Sequence, residues 1–175
     1  MSKRAISKIS DSFWLHMKGR VCSINTSSGG GVPKIPINST KVSFNGLDGD
    51  YNKFRSDNRD GDPRRAVSLF SLEKIEELQA EGHPIGIGST GENFTIEGID
   101  WDSLEVGMRL SVGEALLELS MPCEPCSKIG SSFVGRRFGR IAHDLEFGWS
   151  RWLASVIKEG RVSSDDSVNI IISPK

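Results

Sequence analysis

Arg109-Leu110-Ser111-Val112-Gly113-Glu114-Ala115-Leu116-Leu117-Glu118-Leu119-Ser120 is the stretch on which the fold turns. Leu110 and Val112 before the centre, and Ala115, Leu117 and Leu119 after it, place apolar side chains at alternate positions. That period of two gives each run one face to bury. Gly113-Glu114 between them is a two-residue link that starts with glycine, the residue that reaches the positive φ of a tight hairpin. The stretch therefore predicts two antiparallel strands.

The same pattern continues outward. Strands are predicted over 19–25 (Val21 and Ile24 apolar), 41–45, 65–70, 93–96, 152–157 and 167–172. Ser71 reads as an N-cap before Leu72, Ile75 and Leu78 at helical spacing, with Gly82 as the stop, so one clear helix is expected over 71–82. Residues 27–36 hold Gly29-Gly30-Gly31 and two prolines and read as a loop. Residues 46–63 are polar and rich in Asp, Asn and Gly, long for a connection without structure of its own. Residues 130–148 interleave basic and aromatic side chains, with a turn of helix expected near 141–145. Short, evenly spaced strands with a few short helices indicate a mainly β, single-domain, barrel-like fold. No repeat or internal boundary stands out. Residues 1–18 read as an N-terminal extension and 19–172 as the domain.

Composition narrows the function classes. The 175 residues carry 22 Lys and Arg against 23 Asp and Glu, a formal net charge of −1, which creates no field that would gather nucleic acid. No run approaches the ~18 apolar residues of a membrane span, and apolar segments recur too regularly for a disordered chain. The start is basic (Lys3, Arg4, Lys8, Lys18 and Arg20 against Asp11), but 13–17 is too short for a signal-peptide core and His16 interrupts it. A cytoplasmic location is expected; a presequence is the competing reading of the basic start. The three cysteines, Cys22, Cys123 and Cys126, cannot all pair within one chain.

Cys123-Glu124-Pro125-Cys126 is the most chemical segment. Two thiols at this spacing can cycle as a disulfide, supply half of a zinc site, or simply fill space. A second ligand pair for zinc is missing, and the preceding hairpin strand is not the parallel βαβ setting of a thioredoxin-like site. Spacing alone does not choose among these readings. Arg64, Arg65, Lys128, Arg136, Arg137 and Arg140 are the basic residues nearest this segment or the long polar loop, and guanidinium forks suit phosphate. A solvated charged face is the commoner explanation for each of them taken alone. Gly86 to Gly91 offers backbone N–H groups to an anion but lacks the Lys-Ser/Thr of a P-loop. His16, His83 and His143 have no partners at ligand spacing and read as structural.

In order along the chain, G-L-D-G-D (46–50), R-A-V (65–67), G-E-N (91–93), V-G-x-R-L (106–110), P-C-S-K-I (125–129) and W-L-A-S-V-I-K-E-G-R-V (152–162) resemble the MOSC family, after the C-terminal domain of molybdenum-cofactor sulfurases. The resemblance is greatest to single-domain bacterial members. It implies a mostly β, barrel-like fold with molybdenum cofactor as the ligand. It also implies that Cys126, the cysteine of P-C-x-K, is the reactive one, either as a thiolate ligand to molybdenum or as a sulfur carrier. Arg65, Lys128 and Asn93 become expected cofactor-binding residues, Asn93 either on a pterin edge or orienting the Gly91-Glu92 turn. Cys123 becomes an expected resolving thiol. Family members that reduce N-hydroxylated compounds draw electrons from outside, so a separate flavin or iron–sulfur reductase is expected. A non-catalytic carrier or cofactor-delivery domain fed by a cysteine desulfurase is the second expectation, with no pyridoxal phosphate in this chain itself. A cofactor-free thiol–disulfide protein using Cys123 and Cys126 is the third. The chain departs from the resemblance at Arg59-Asp60-Gly61-Asp62, where many relatives have a basic residue, His, Gly and Gly. Two carboxylates there are expected to repel an anionic ligand. It departs again at Cys123, where relatives often have Arg, removing a cation beside the reactive thiol.

Overall fold

The computed structural model describes residues 18–52, 56 and 59–172. In chain order the described strands are β1 (Gly19–Thr26), β2 (Ile35–Ile37), β3 (Ser39–Ser43), β4 (Gly46–Leu47), β5 (Val67–Ser71), β6 (Phe94–Glu97), β7 (Arg109–Val112), β8 (Ala115–Cys123), β9 (Arg151–Lys158), β10 (Gly160–Ser163) and β11 (Ser167–Ile171). Helix α1 (Leu72–Ala80) joins β5 to β6. The expected extension over 1–18, with His16 in it, lies outside the described residues except for Lys18.

The hairpin that organised the sequence reading is β7 and β8, with Val112 opposite Ala115 and Leu110 opposite Leu117. From it the sheet runs β11-β7-β8-β9-β5-β6-β1, and β1 pairs back to β11 through Gly19 opposite Val168, closing a seven-stranded barrel. Closure removes the open strand edges that would otherwise invite pairing with other chains. Positions two apart on successive strands fill the core: Val67 and Leu69, Phe94 and Ile96, Leu110 and Val112, Leu117 and Leu119, Ala154 and Val156 are all buried. Each large aliphatic side chain so removed from water contributes roughly 1.5–3 kcal/mol. A three-stranded sheet, β10-β3-β4, adds Val42, Leu47 and Val162 to the same core.

The helix forms where the spacing placed it. The Ser71 hydroxyl accepts from the Lys74 N–H, Ile75 and Leu78 are buried, and Gly82 ends the helix region at a φ of 96°. Because α1 is a crossover, β5 and β6 are parallel, with Leu69 opposite Phe94. β5 is buried at every position, since the barrel lies on one side and helix or loop on the other.

Several elements differ from expectation. Strand β2 starts inside the supposed 27–36 loop, and Pro36 is tolerated there because β2 is an edge that pairs with β1 alone. Two residues of the long polar segment form β4 against β3. Arg65 is not in a strand: Pro63–Arg65 is a 3-10 turn in which the Arg64 N–H is met by the Asp62 carboxylate and the Arg65 N–H by the Asp62 carbonyl. β8 runs on through Pro122 to Cys123, with irregular register between Leu116 and Leu117 and between Leu119 and Met121. Strand β10 is four residues of weak pattern that pair with β3, a tertiary contact no local window reveals. Residues 127–141 form a series of 3-10 turns, Ser127–Ser132, Val134–Arg136 and Phe138–Ile141, with Gly135 at a φ of 60° breaking the second, and the turn expected near 141–145 is a single one in which the Leu145 and Glu146 N–H groups both donate to the Ala142 carbonyl. Among the described residues no helix is long and apolar enough to cross a membrane.

Candidate functional site

β8 leaves the barrel at Cys123, directly opposite Arg151, the first residue of β9. Trp101 fixes the approach to β9 by donating its indole N–H to the Ser150 carbonyl at 2.8 Å. Beyond Cys123 the chain turns through Glu124 and Pro125 to Cys126, which is extended (φ −140°, ψ 173°) and whose carbonyl accepts from the Ile129 N–H at 3.1 Å. Ile129 and Phe133 are buried and anchor the turn, and Arg136 Nη2 donates to the Ser127 carbonyl at 2.7 Å. The result presents Cys126 to solvent on a braced loop while Cys123 is half-buried. Lys128 is exposed on the same turn, two residues beyond Cys126. A soft, accessible thiolate in such a place can ligate a metal or attack sulfur.

The neighbouring wall is the 86–91 loop, and its own contacts lock it. Gly86 N–H donates to Ser89 Oγ, Ser89 N–H to the Gly86 carbonyl, and Gly91 N–H to the Gly88 carbonyl. Glu92, fully buried, accepts from Gly88 N–H at 2.6 Å, Thr90 Oγ1 at 2.6 Å and Thr95 Oγ1 at 3.2 Å. Gly88 has a φ of 77°, and a Cβ there would run into the Lys34 carbonyl oxygen. With those N–H groups spent internally, the loop does not cradle an anion through them as the glycine pattern suggested. Two links hold it to the cysteine turn. Ser132 Oγ donates to Ser89 Oγ at 2.9 Å, and Arg151 bridges the Thr90 carbonyl (Nη1, 2.6 Å) and the Glu124 carbonyl (Nη2, 3.4 Å).

Asn93 is buried and its carboxamide is filled by protein. Oδ1 accepts from Ser68 N–H at 3.1 Å, and Nδ2 donates to the Asn25 carbonyl at 3.2 Å and to Asp50 at 2.9 Å. It thereby ties β1 and β5 to the Gly91-Glu92 turn. Asp50, the last residue of G-L-D-G-D, also takes Ser27 N–H at 2.8 Å and Lys34 Nζ at 2.7 Å, with both partners of that ion pair nearly closed to solvent.

Arg65 lies on the 3-10 turn that crosses toward β8, where the Arg64 carbonyl accepts from Ser120 Oγ and the Arg65 carbonyl from Asn52 Nδ2. Asp62 is occupied by Arg64, whose side-chain and backbone hydrogen bonds hold its carboxyl below the usual carboxylate range. Its charge is thus balanced locally instead of being left to repel a ligand. His83 accepts from Val134 N–H and packs on Phe133, and His143 packs between Phe147 and Trp152, matching the structural reading of both.

The fold therefore gathers Cys123, Cys126 and Lys128 on one turn and joins that turn to the loop leading into Asn93. Sequence reasoning missed Arg151, Thr90, Glu92 and Lys34. The one available signal was Arg151 itself, a charge at the head of an otherwise apolar strand between Trp149 and Trp152.

Comparison with known proteins agrees with this architecture. The E. coli protein YiiM superposes at a TM-score of 0.66 with 23% identity, covering 90% of this chain and 71% of that one. The Bacillus subtilis YuaD structure superposes at 0.69 with 19% identity, covering 87% and 94%. By sequence the chain is 27% identical to YiiM of Escherichia coli K12 over 115 residues and 25% identical to YflK of Bacillus subtilis 168 over 114, each match covering 63% of this chain and 50% of the relative. It is 26% identical over 119 residues to a protein of Gibberella moniliformis named a reductase, covering 65% of this chain and 21% of that one. The chain thus spans half or less of these relatives' lengths. The MOSC domain matches residues 56–169, well over half of the chain, and β1, although it precedes the match, is the strand that closes the barrel. The chain belongs to the MOSC domain family.

Proposed function

We propose that this chain binds molybdenum cofactor with Cys126 as a thiolate ligand, and that it reduces N-hydroxylated compounds with electrons from a separate flavin or iron–sulfur reductase. The observation that carries the reading is the Cys126 thiol, exposed on a braced turn at the barrel end within a MOSC fold. The donor chemistry fits. Among the described residues no three His, Cys, Asp or Glu side chains stand together as a cage, so a metal held at Cys126 would draw its other ligands from the group it arrives in. When bound, that group supplies two-electron redox chemistry.

The residues of this chain do the holding. Cys126 would fix the group through sulfur, and exposed Lys128 would offer a cation to its anionic parts. Asn93, filled by protein contacts, would act by orienting the Gly91-Glu92 turn. In the reaction an N–O bond breaks and an N–H bond forms, consuming two electrons and two protons and releasing water.

The test is elemental analysis of protein made in a host that synthesises the cofactor. About one molybdenum per chain, lost in Cys126→Ser, supports the reading; none in the unaltered protein overturns it. Cys123→Ser should be milder. The second thiol three residues away favours one other reading, in which Cys126 carries sulfur as a persulfide supplied by a cysteine desulfurase and Cys123 resolves it. Intact-mass spectrometry would then show one added sulfur on metal-free protein.

A further inference from the structure

We infer that Arg151 forms an anion subsite between the 86–91 loop and the cysteine turn, and that it takes a tetrahedral oxyanion on the Nε–Nη2 edge of its guanidinium. Arg151 is 6% exposed and, among the described residues, has no carboxylate partner. Among the described residues its guanidinium donates to two carbonyl oxygens, and Nε, fully buried, has no hydrogen-bond partner. Glu92 is reached only through Thr90, which donates to it at 2.6 Å and presents its carbonyl to Arg151, and Glu92 is itself satisfied by neutral donors. A buried charge left this way is unfavourable, and an arriving anion would offset the cost.

The asymmetry of its contacts says where the anion goes. Nη1 is anchored on Thr90 at 2.6 Å, whereas the opposite edge carries one long bond, 3.4 Å to Glu124, and one vacant donor. Two parallel N–H groups on one edge match two oxygens of a phosphate or sulfate. The group bonded on that edge is the Glu124 carbonyl, 3.4 Å from Nη2, which an oxyanion would displace. Since Cys123 lies directly opposite Arg151, the subsite adjoins the loop that carries Cys126. An anion there would sit beside whatever the thiol holds.

The experiment is a titration of the purified chain with sodium sulfate against sodium chloride at matched ionic strength, read as the thermal midpoint. Sulfate stabilises most proteins without saturating, so the saturable component is the readout. At ten times its dissociation constant a rise of roughly 3–6 °C is expected. Arg151→Gln should lose the saturable component, and Arg137→Gln should keep it. Arg151→Lys, which retains the charge without the fork, should bind at least about tenfold more weakly and serves where the glutamine variant does not fold. No saturable rise in the unaltered protein, or an equal one in either Arg151 variant, overturns the inference. Inorganic phosphate and a small phosphomonoester then identify the source: tighter binding of the ester assigns the anion to a larger ligand, and equal binding assigns it to the free ion. Molybdenum content is a separate readout, so this inference and the cofactor reading fail independently.

Discussion

Replacing Asp50 with alanine should be among the most damaging single changes outside the apolar core. Asp50 sits 2.7 Å from Lys34 Nζ, with 6% and 7% of the two side chains exposed. Removing the carboxylate strands a buried ammonium, a loss of about 3–5 kcal/mol. Ser27 N–H and Asn93 Nδ2 lose an acceptor in the same step, so the upper half of that range is the better expectation. Against a total stability on the order of 5–15 kcal/mol this is a large fraction. At about 2–4 °C per kcal/mol for a chain of this size, the thermal midpoint should fall by about 6–20 °C. Urea denaturation of Asp50→Ala, Lys34→Met and the double variant gives the coupling directly. The double variant should be less destabilised than Asp50→Ala by about 1–3 kcal/mol, because no charge is then left unpaired. A loss below about 1 kcal/mol in Asp50→Ala, or strict additivity in the cycle, would refute the assignment of a buried, energetically coupled pair.

Three other expectations follow from local geometry. Gly88→Ala must hold a positive φ and push its Cβ against the Lys34 carbonyl, so it should cost more than about 1–2 kcal/mol in the same denaturation assay, whereas Gly86→Ala, with open space around it, should cost less. Burial, followed by the charge of Glu97, pushes the Cys22 thiol above its ordinary value, so with iodoacetamide near pH 8, peptide mapping should find Cys126 alkylated well before Cys22; the reverse order would contradict the burial. The hydrogen bond from Arg140, with its charge, holds Glu81 below the usual carboxylate value of 4.5. A lowered folded value contributes stability that is present above 4.5 and is lost as pH falls through the folded value. Thermal midpoints of Arg140→Gln should therefore decline less across that acid range than those of the unaltered chain, by a small amount because Glu81 is 40% exposed; parallel curves would exclude the linkage.

Local chemistry carries much of this protein's architecture. The Gly113-Glu114 hairpin, the Ser71 cap with Ile75 and Leu78, and the alternating runs on both sides depend on neighbours within a few residues, so period and turn residues predict them directly. The cysteine turn is likewise legible, since its spacing and its prolines are local facts. What the chain alone could not show is how distant segments share one seam. Barrel closure joins residue 19 to residue 168, and β10 exists because β3 lies beside it. Of the two roles the sequence offers Asn93, its partners fit the orienting one, because Asn25, Asp50 and Ser68 converge on its carboxamide from three separate elements. Asp62, which reads as a repelling charge, is occupied by the arginine two residues on. Arg151 reads as one polar residue in a strand and becomes a buried cation because the 86–91 loop and the cysteine turn close over it. Burial and hydrogen-bond partnership are properties of the whole packing, whereas hydrophobic period and turn chemistry belong to the local chain.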